Sequence, residues 1–305
     1  GKCSMTALPK PELGKPQAYY RDHYLRNLPS EFCSGCGNGI ILNCFVRAVD
    51  ALITEKQLRL RDLLCVSGIG CSAWIPSPHF RGDTLHTTHG RAIPFATGAK
   101  VVNPKLRVAV FTGDGDGAAI GGNHLIHAAR RNIPMTVILI NNFNYGMTGG
   151  QSAPTTPLHV RTTTYSSNPE LPFDLSSLVL GAGASYVARW TTYYVNDIIE
   201  SMKQALLHQG FAFIEIIAQC PTYAAGFLSE FRAALTPEEK EEFSQNPGAW
   251  MVKALKGKRI GTRFGLPQYS LELKEKTIEL GVFAQEERTT IITELRRLWT
   301  QSKGR

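Results

Sequence analysis

The chain has no uninterrupted apolar run of about 18 residues, the length that would suggest a membrane-spanning helix, so no span is expected. Its first twenty residues, GKCSMTALPKPELGKPQAYY, lack the apolar centre of a secretory signal. Prolines at 9, 11, 16 and 29 interrupt any helix there, and residues 1–30 read as an extended arm. Cysteines are few and odd in number: Cys3, Cys33, Cys36, Cys44, Cys65, Cys71 and Cys220. That count argues against a disulfide framework and for a reducing, cytoplasmic setting, where thiols are metal ligands or core residues. No internal repeat, low-complexity tract or nucleic-acid-binding signature is present.

What is present is apolar and ordered. The chain is 43% hydrophobic over 305 residues, enough for one large domain or two small ones without staples. Net charge is +8, which describes either a solvated basic surface or a face for an acidic partner. Apolar runs at 63–68, 108–113, 136–141, 184–189 and 211–217 predict buried strands. Helical patterns lie between them near 38–53, 93–102, 121–131, 174–181 and 196–208, with Asn196 or Asp197 to cap the last. This alternation predicts an α/β protein with a parallel sheet and helices on both faces. The pattern changes after 230, where TPEEKEEFSQ (236–245) predicts a charged helix behind Thr236 and KALKGKRIGTRFGLPQ (253–268) is basic and glycine-punctuated. Residues 31–229 therefore read as the main domain, and 230–305 as an extension that packs on another surface, a subunit interface.

The stretch VAVFTGDGDGAAIGGNHLIHAARRNIPMTVILINNFNYGMTGGQ (108–151) carries the most chemistry. A strand ends in a Gly-Asp-Gly turn at 113–115, a helix follows, and the next strand ends at Asn141-Asn142. Ligands of parallel sheets bind beyond the carboxyl ends of the strands. Asp114 and Asn142 each follow a strand, so one crossover brings both to the same rim. With a nearby carbonyl they are hard oxygen ligands suited to Mg²⁺, and the glycines admit a phosphate. Three readings compete: a diphosphate–Mg²⁺ site, a dinucleotide fingerprint at Gly113-x-Gly115-x-x-Ala118, and a plain strand–turn–helix. The fingerprint lacks an acidic residue closing the next strand. His124 and His127, three apart on one helix, read as packing or capping residues. The pair Cys33 and Cys36 in CSGCGNGI (33–40) leaves four readings open: a zinc knuckle, a redox dithiol, half of an iron–sulfur site, or a tight turn before a helix.

Six motifs in order then give a resemblance: FCSGCGNG (32–39), SGIGCS (67–72), LHTTHGRAIPFATG (85–98), GDGDGAAIGGNH (113–124), NNFNYGMTGGQSAPT (141–155) and QCPTY (219–223). Over roughly residues 15–230 the sequence resembles the β subunit of 2-oxoacid:ferredoxin oxidoreductases. The resemblance implies a thiamine diphosphate-binding fold, of which this chain is the diphosphate-binding half. It implies one four-iron, four-sulfur (4Fe-4S) cluster on Cys33, Cys36, Cys71 and Cys220, leaving Cys44 and Cys65 as core. It implies Mg²⁺ on Asp114, Asn142 and the Asn144 carbonyl. It places Gly70, Ser72, His89, Gly113, Asp114, Gly115, Asp116, Asn142, Tyr145, Gly146 and Thr148 around thiamine diphosphate, with Gly149, Gly150 and Gln151 on the loop lining the pocket. Many relatives carry Lys where Gly149 stands.

The implied reaction is CoA-dependent oxidative decarboxylation of a 2-oxoacid, with electrons passed through the cluster to ferredoxin. HTTHGRAIPFATG and Gly149 incline the substrate towards 2-oxoglutarate, with pyruvate and branched-chain 2-oxoacids as alternatives. The catalytic residue of this chain is unassigned. The resemblance puts the activating glutamate on a partner, an α subunit or α plus γ. No eight-cysteine ferredoxin-like segment occurs, so one cluster is expected here. The rivals are a non-redox decarboxylase or ligase half, which needs no cluster cysteines, and a zinc-stabilised binding module without catalysis.

Overall fold

The structure is a computed structural model that describes residues 14–223, 236–245, 252–273 and 276–303. In chain order the first half comprises α1 (Gln17–Tyr24), α2 (Gly37–Thr54), β1 (Leu63–Ser67), β2 (Asp83–His86), α3 (Ala92–Val102) and β3 (Arg107–Gly113). A π-helical turn (Asp114–Ile120) leads into α4 (Gly122–Arg130), then β4 (Met135–Asn141) and the short β5 (Asn144–Tyr145) and β6 (Gln151–Ser152). Then come α5 (Leu175–Gly181), β7 (Tyr186–Thr191), α6 (Val195–Leu207) and β8 (Phe211–Ile217). After the helix Pro237–Gln245, strands β9 (Lys258–Arg263), β10 (Leu266–Leu273) and β11 (Lys276–Gln285) precede a last helix, Ile291–Lys303. The five predicted strands and five helices are all present, most within a residue or two of the expected bounds.

One sheet orders the strands β2-β1-β3-β4-β8-β7-β11-β10-β9. From β2 to β7 every pairing is parallel. Such strands are buried on both faces and so read as continuous apolar runs; all seven residues of β4 and of β8 are buried. On one face Ile41 and Phe45 of α2 and Ile198 and Met202 of α6 join Ala109 and Phe111 in a core. On the other, Ile93 of α3, Leu125 of α4 and Val179 of α5 meet Val108 and Val110. Phe45 stands edge-on to Phe80 and Phe111, at centroid distances of 5.2 and 4.9 Å, each pair contributing about 0.5–1.5 kcal/mol beyond its burial. By length and composition α2 could cross a membrane, but 61% of it is buried inside the fold as this central core helix.

Three expectations are corrected. Residues 14–30 are not simply an extended arm, since α1 starts directly after Pro16. A proline just ahead of a helix withholds an N–H that the first turn would leave unpaired anyway. Lys15 Nζ, Tyr19 Oη and Tyr24 Oη all converge on Asp50 of α2, at 2.9, 3.2 and 2.9 Å. The remainder of the arm, with Cys3, lies outside the described residues. The second correction concerns α6, which begins one residue earlier than expected, behind Tyr194, and has no side-chain cap from Asn196 or Asp197. The third concerns 230–305. Strand β11 pairs antiparallel with β7, and β10 and β9 follow, so 258–285 completes the same sheet instead of covering another surface.

Chain direction sets the site. From β1 the chain moves to β2 on one side, while β3 continues to β4 on the other. The loops after β1 and β3 therefore part, opening a crevice at the carboxyl rim between them.

Candidate active site

The loop after β1, the loop after β2 and the turn after β3 are tied together by Asp116, which is 3% exposed. Its Oδ1 accepts from the backbone N–H of Ile69 (3.2 Å) and of Gly90 (2.7 Å) and from His89 Nδ1 (2.6 Å). Its Oδ2 accepts from Thr112 Oγ1 at 2.6 Å. Gly68 makes this approach possible, because a Cβ there would stand 2.1 Å from Asp116 Oδ2. Asp116 was expected among the cofactor contacts. Four chain donors reach its carboxylate, and it braces the crevice. The bond to Asp116 orients the His89 ring and turns its Nε2 edge to the rim. The His89 ring stands edge-on to Tyr145, 6.5 Å between centroids.

The turn after β3 is π-helical, with Gly121 N–H reaching back five residues to the Asp116 carbonyl at 2.9 Å. Such turns recur at functional sites because they re-aim side chains. Here the turn buries Asp114 at 2% exposure. Asp114 accepts from Gly115 N–H (2.9 Å) and Thr155 Oγ1 (2.7 Å). Burial pushes its carboxyl up to about 7, against the opposing hydrogen bonds from Thr155 and from the backbone of Gly115, Asp114 and Phe143. Beside it, the oxygen end of the Asn142 amide faces two more oxygens, Asp114 Oδ1 at 3.3 Å and the Asn144 carbonyl at 2.7 Å. Three oxygens converge, and the Asn144 N–H also reaches the Asn142 oxygen, at 3.4 Å. Either the amide turns over and donates, or a cation lies among them; an octahedral shell with metal–oxygen bonds of about 2.0–2.1 Å has edges of about 2.9 Å, between the two separations. Asn144 Oδ1, buried nearby, also has no partner. The predicted Mg²⁺ ligands Asp114, Asn142 and Asn144 are thus brought together, and their donor chemistry fits the ion.

Gly115 lies under the Tyr145 ring, where a Cβ would come within 2.3 Å of it. Ser72 Oγ sits 2.8 Å from the place a Cβ on Gly113 would occupy, so Gly113 and Ser72 line the same corner. Gly70, at φ +119°, precedes the short turn bearing Cys71 and Ser72. In the loop after Tyr145, Thr148 Oγ1 donates to Gln151 Oε1 (2.7 Å), and Gln151 Nε2 returns a bond to the Thr148 carbonyl (2.9 Å). Tyr223 packs over Gly150.

The four motif cysteines lie along the adjoining rim. Cys36 N–H donates to the Cys33 carbonyl at 3.0 Å, and Gly37 N–H to the Gln219 carbonyl at 3.1 Å, which sets the pair beside Cys220. Cys71 Sγ lies 3.6 Å from where a Cβ on Gly146 would stand, and Asn144 Oδ1 3.4 Å from the same point. Cys71 therefore connects the thiol group to the oxygen cluster. Burial pushes Cys36 up to about 12, with Cys220, Cys71 and Cys33 adding to the rise despite the Asn38 N–H. Burial likewise raises Cys71, with Cys220 and Cys33 contributing. The four thiols are electrostatic neighbours. A single zinc ion, with Zn–S near 2.3 Å, needs sulfurs about 3.8 Å apart. Among the described residues no group of three or more His, Cys, Asp or Glu is gathered for one metal ion, His124 and His127 included. Cys44 and Cys65 are fully buried in the core, as expected.

Sequence reasoning missed Gly68, Thr112 and Thr155. Thr155 ends the NNFNYGMTGGQSAPT stretch, and Gly68 opens the GIGCS turn. Their motif positions were visible, but their partners are distant in sequence.

Fold and site define a thiamine diphosphate-binding α/β protein, and residues 68–216 match the family model "Thiamine pyrophosphate enzyme, C-terminal TPP binding domain". The chain is 46% identical over 285 residues, 92% of its length and 97% of the relative's, to the 2-oxoglutarate synthase subunit KorB of Methanocaldococcus jannaschii. It is 41% identical over 195 residues, 63% of this chain and 61% of the relative, to 2-oxoacid:ferredoxin oxidoreductase 2 subunit beta of Aeropyrum pernix. A solved 2-oxoglutarate:ferredoxin oxidoreductase from Magnetococcus marinus, with 2-oxoglutarate, coenzyme A and succinyl-CoA bound, is similar at TM-score 0.73 and 31% identity, over 93% of this chain and 91% of that one. The chain belongs to the β-subunit family of 2-oxoacid:ferredoxin oxidoreductases, and is a subunit of an oxidoreductase. The binding-module and non-redox readings give way to this one.

Proposed function

We propose that this chain holds thiamine diphosphate and Mg²⁺ in an enzyme that converts 2-oxoglutarate and CoA to succinyl-CoA and CO₂, passing two electrons through a 4Fe-4S cluster to ferredoxin. The observation that carries the cofactor part is the convergence of Asp114 Oδ1, the Asn142 side-chain amide and the Asn144 carbonyl, at 3.3 and 2.7 Å, at the carboxyl ends of β3 and β4. Three hard oxygens on one strand rim are a ready half-shell for Mg²⁺, and the diphosphate supplies further oxygens. When bound, thiamine diphosphate supplies the carbon chemistry, acting as the electron sink for decarboxylation.

The chain's own residues bind and orient. Asp114, Asn142 and Asn144 take the metal. His89, aimed by Asp116, offers Nε2 at the rim, near Tyr145. Gly113 and Gly115 keep the floor of the crevice low. Cys33, Cys36, Cys71 and Cys220 provide four soft ligands for the cluster, and the closeness of Cys71 to Gly146 supports a short path from the pocket. Pyruvate and branched-chain 2-oxoacids are the competing substrates. The 2-oxoglutarate assignment is supported by the names of the relatives and the ligands of the solved neighbour. The activating glutamate and much of the substrate carboxylate site belong to the partner subunit.

The test is an assay of the assembled enzyme with each 2-oxoacid, CoA and ferredoxin. The expected kcat/KM for 2-oxoglutarate exceeds those for pyruvate and 2-oxoisovalerate. Equal or higher values for either rival overturn the substrate assignment.

A further inference from the structure

The oxygen cluster stands on a buried polar relay behind the loop of Asn142 and Asn144. Glu215 lies in the middle of β8, 3% exposed, in register with Arg189 of β7 on one side and Leu139 of β4 on the other. A carboxylate at the centre of an apolar parallel sheet is costly unless every lone pair is engaged. Glu215 Oε2 accepts from Arg189 Nε (2.7 Å) and Ser176 Oγ (2.8 Å), and Oε1 accepts from Asn141 Nδ2 (2.8 Å). Arg189 is held in turn by Asp174 and by the Glu279 carbonyl of β11.

The fourth member explains the arrangement. Because Asn141 gives its amide nitrogen to Glu215, its amide oxygen faces the other way and accepts the Phe143 N–H at 3.2 Å. Phe143 adopts φ +61°, a left-handed conformation that non-glycine residues seldom take. Thr156 Oγ1 grips the Phe143 carbonyl at 2.6 Å. This turn at Phe143 lies between Asn142 and Asn144, the two residues whose oxygens face Asp114. A reversed Asn141 amide would set its NH₂ against the Phe143 N–H, donor to donor, and the turn would lose one of its ties, leaving the Thr156 bond and the Phe143 backbone bond to Asp114.

We propose that Glu215, held by Arg189, is a positioning residue for the metal loop: it fixes the Asn141 amide, and through the Phe143 turn it sets the geometry of the Asn142 and Asn144 oxygens. This rests on the reading of Asp114, Asn142 and Asn144 as Mg²⁺ ligands. Mg²⁺ demands near-ideal octahedral geometry, whereas Ca²⁺ tolerates irregular shells. A loosened loop therefore weakens Mg²⁺ more than Ca²⁺, which loss of a merely structural ion pair would not do.

The experiment is calorimetric titration of the assembled enzyme, stripped of cofactor, with thiamine diphosphate over a series of MgCl₂ or CaCl₂ concentrations. In Glu215→Gln the Mg²⁺ concentration for half-maximal binding rises about 10-fold, the low end of what loss of an outer-shell partner costs, and the Ca²⁺ concentration rises less. If Glu215→Gln does not fold, the double variant Arg189→Met/Glu215→Met leaves no buried charge unpaired in the strand pair and is read the same way. Unchanged requirements, or equal rises for both cations, overturn the proposal. Asp114→Ala is the control. Loss of binding with both cations there, with wild-type behaviour at Glu215, sinks the relay alone. Wild-type binding in Asp114→Ala sinks the metal site and the relay together.

Discussion

Asp114 and Asp116 sit two residues apart on one π-helical turn, yet they have opposite tasks. Asp116 is saturated by four chain donors and braces the crevice. Asp114 is as deeply buried, accepts from Thr155 Oγ1 and Gly115 N–H and also faces the Asn142 amide; burial outweighs its hydrogen bonds and raises its carboxyl to about 7. Replacing Asp114 by Ala is expected to abolish retention of thiamine diphosphate and Mg²⁺, at least on the order of 10²-fold, since even outer-shell partners cost about 10–100-fold. Iron content stays at the wild-type level. Cofactor and metal analysis of the purified variant checks both halves, and a normal thiamine diphosphate content refutes the ligand assignment. The cysteines allow a parallel contrast. Serine at Cys220 is expected to lower bound iron and bleach the visible absorbance, because a hydroxyl is a poor soft-metal ligand. Serine at Cys65, fully buried in the core, costs packing but leaves the iron. Iron retained in Cys220→Ser would break the four-ligand set.

Among the elements, the loops at the amino end of the sheet carry a titratable joint. Ser185 Oγ lies 2.7 Å from both His208 Nε2 and Asn132 Oδ1. Asn132 also accepts from Phe211 N–H (2.8 Å) and donates to the Arg288 and Thr289 carbonyls (3.3 Å each), which fastens the segment after β11 to the sheet. Burial depresses the pKa of His208 below the ordinary histidine value. The unfolded chain therefore takes up this proton more readily than the folded one. Stability from this site is full above the unfolded pKa, about 6.5, and falls as the pH drops below it. The melting temperature of wild type is expected to fall more steeply between pH 7 and 5.5 (values chosen about that pKa) than that of His208→Gln. Identical slopes in thermal melts at each pH would remove His208 from the account.

For the whole molecule, the proposed half-site and the net charge of +8 can each be tested against the proposed partners. The isolated chain is expected to show no decarboxylation of any 2-oxoacid, because the activating glutamate is proposed to lie on the partner; turnover by the chain alone would refute this. Ferredoxin reduction by the complex is expected to slow with salt more steeply than reduction of a small uncharged dye. Steering fades as the Debye length shrinks from about 10 Å at 0.1 M to about 3 Å at 1 M. Equal salt dependence for the two acceptors would mean that the basic surface is no ferredoxin dock. The basic edge strand β9, exposed along its whole length, is the first place to look for the contact.

The sequence by itself determined the parallel core and the order of the site motifs. Continuous apolar runs have one low-energy fate, a doubly buried strand, and a polar residue directly after such a run must emerge at the rim. Asp114 and Asn142 were legible for that reason, whereas Cys71 and Cys220 were singled out only by the family resemblance. The hairpin β9–β11 was not. Its edge strand is basic and glycine-punctuated, and the alternation of Ile278, Leu280 and Val282 in β11 acquires meaning only once β7 offers an unpaired edge. The division between Asp114 and Asp116 was equally hidden, since two acidic residues in one GDGDG turn look alike. Only the tertiary structure decided it, by bringing Ile69, His89 and Gly90 from loops 26–47 positions away to one carboxylate and leaving the other to face oxygens. Local pattern determines which segments are buried, but the pairing of distant hydrogen-bond donors and acceptors depends on how those segments pack.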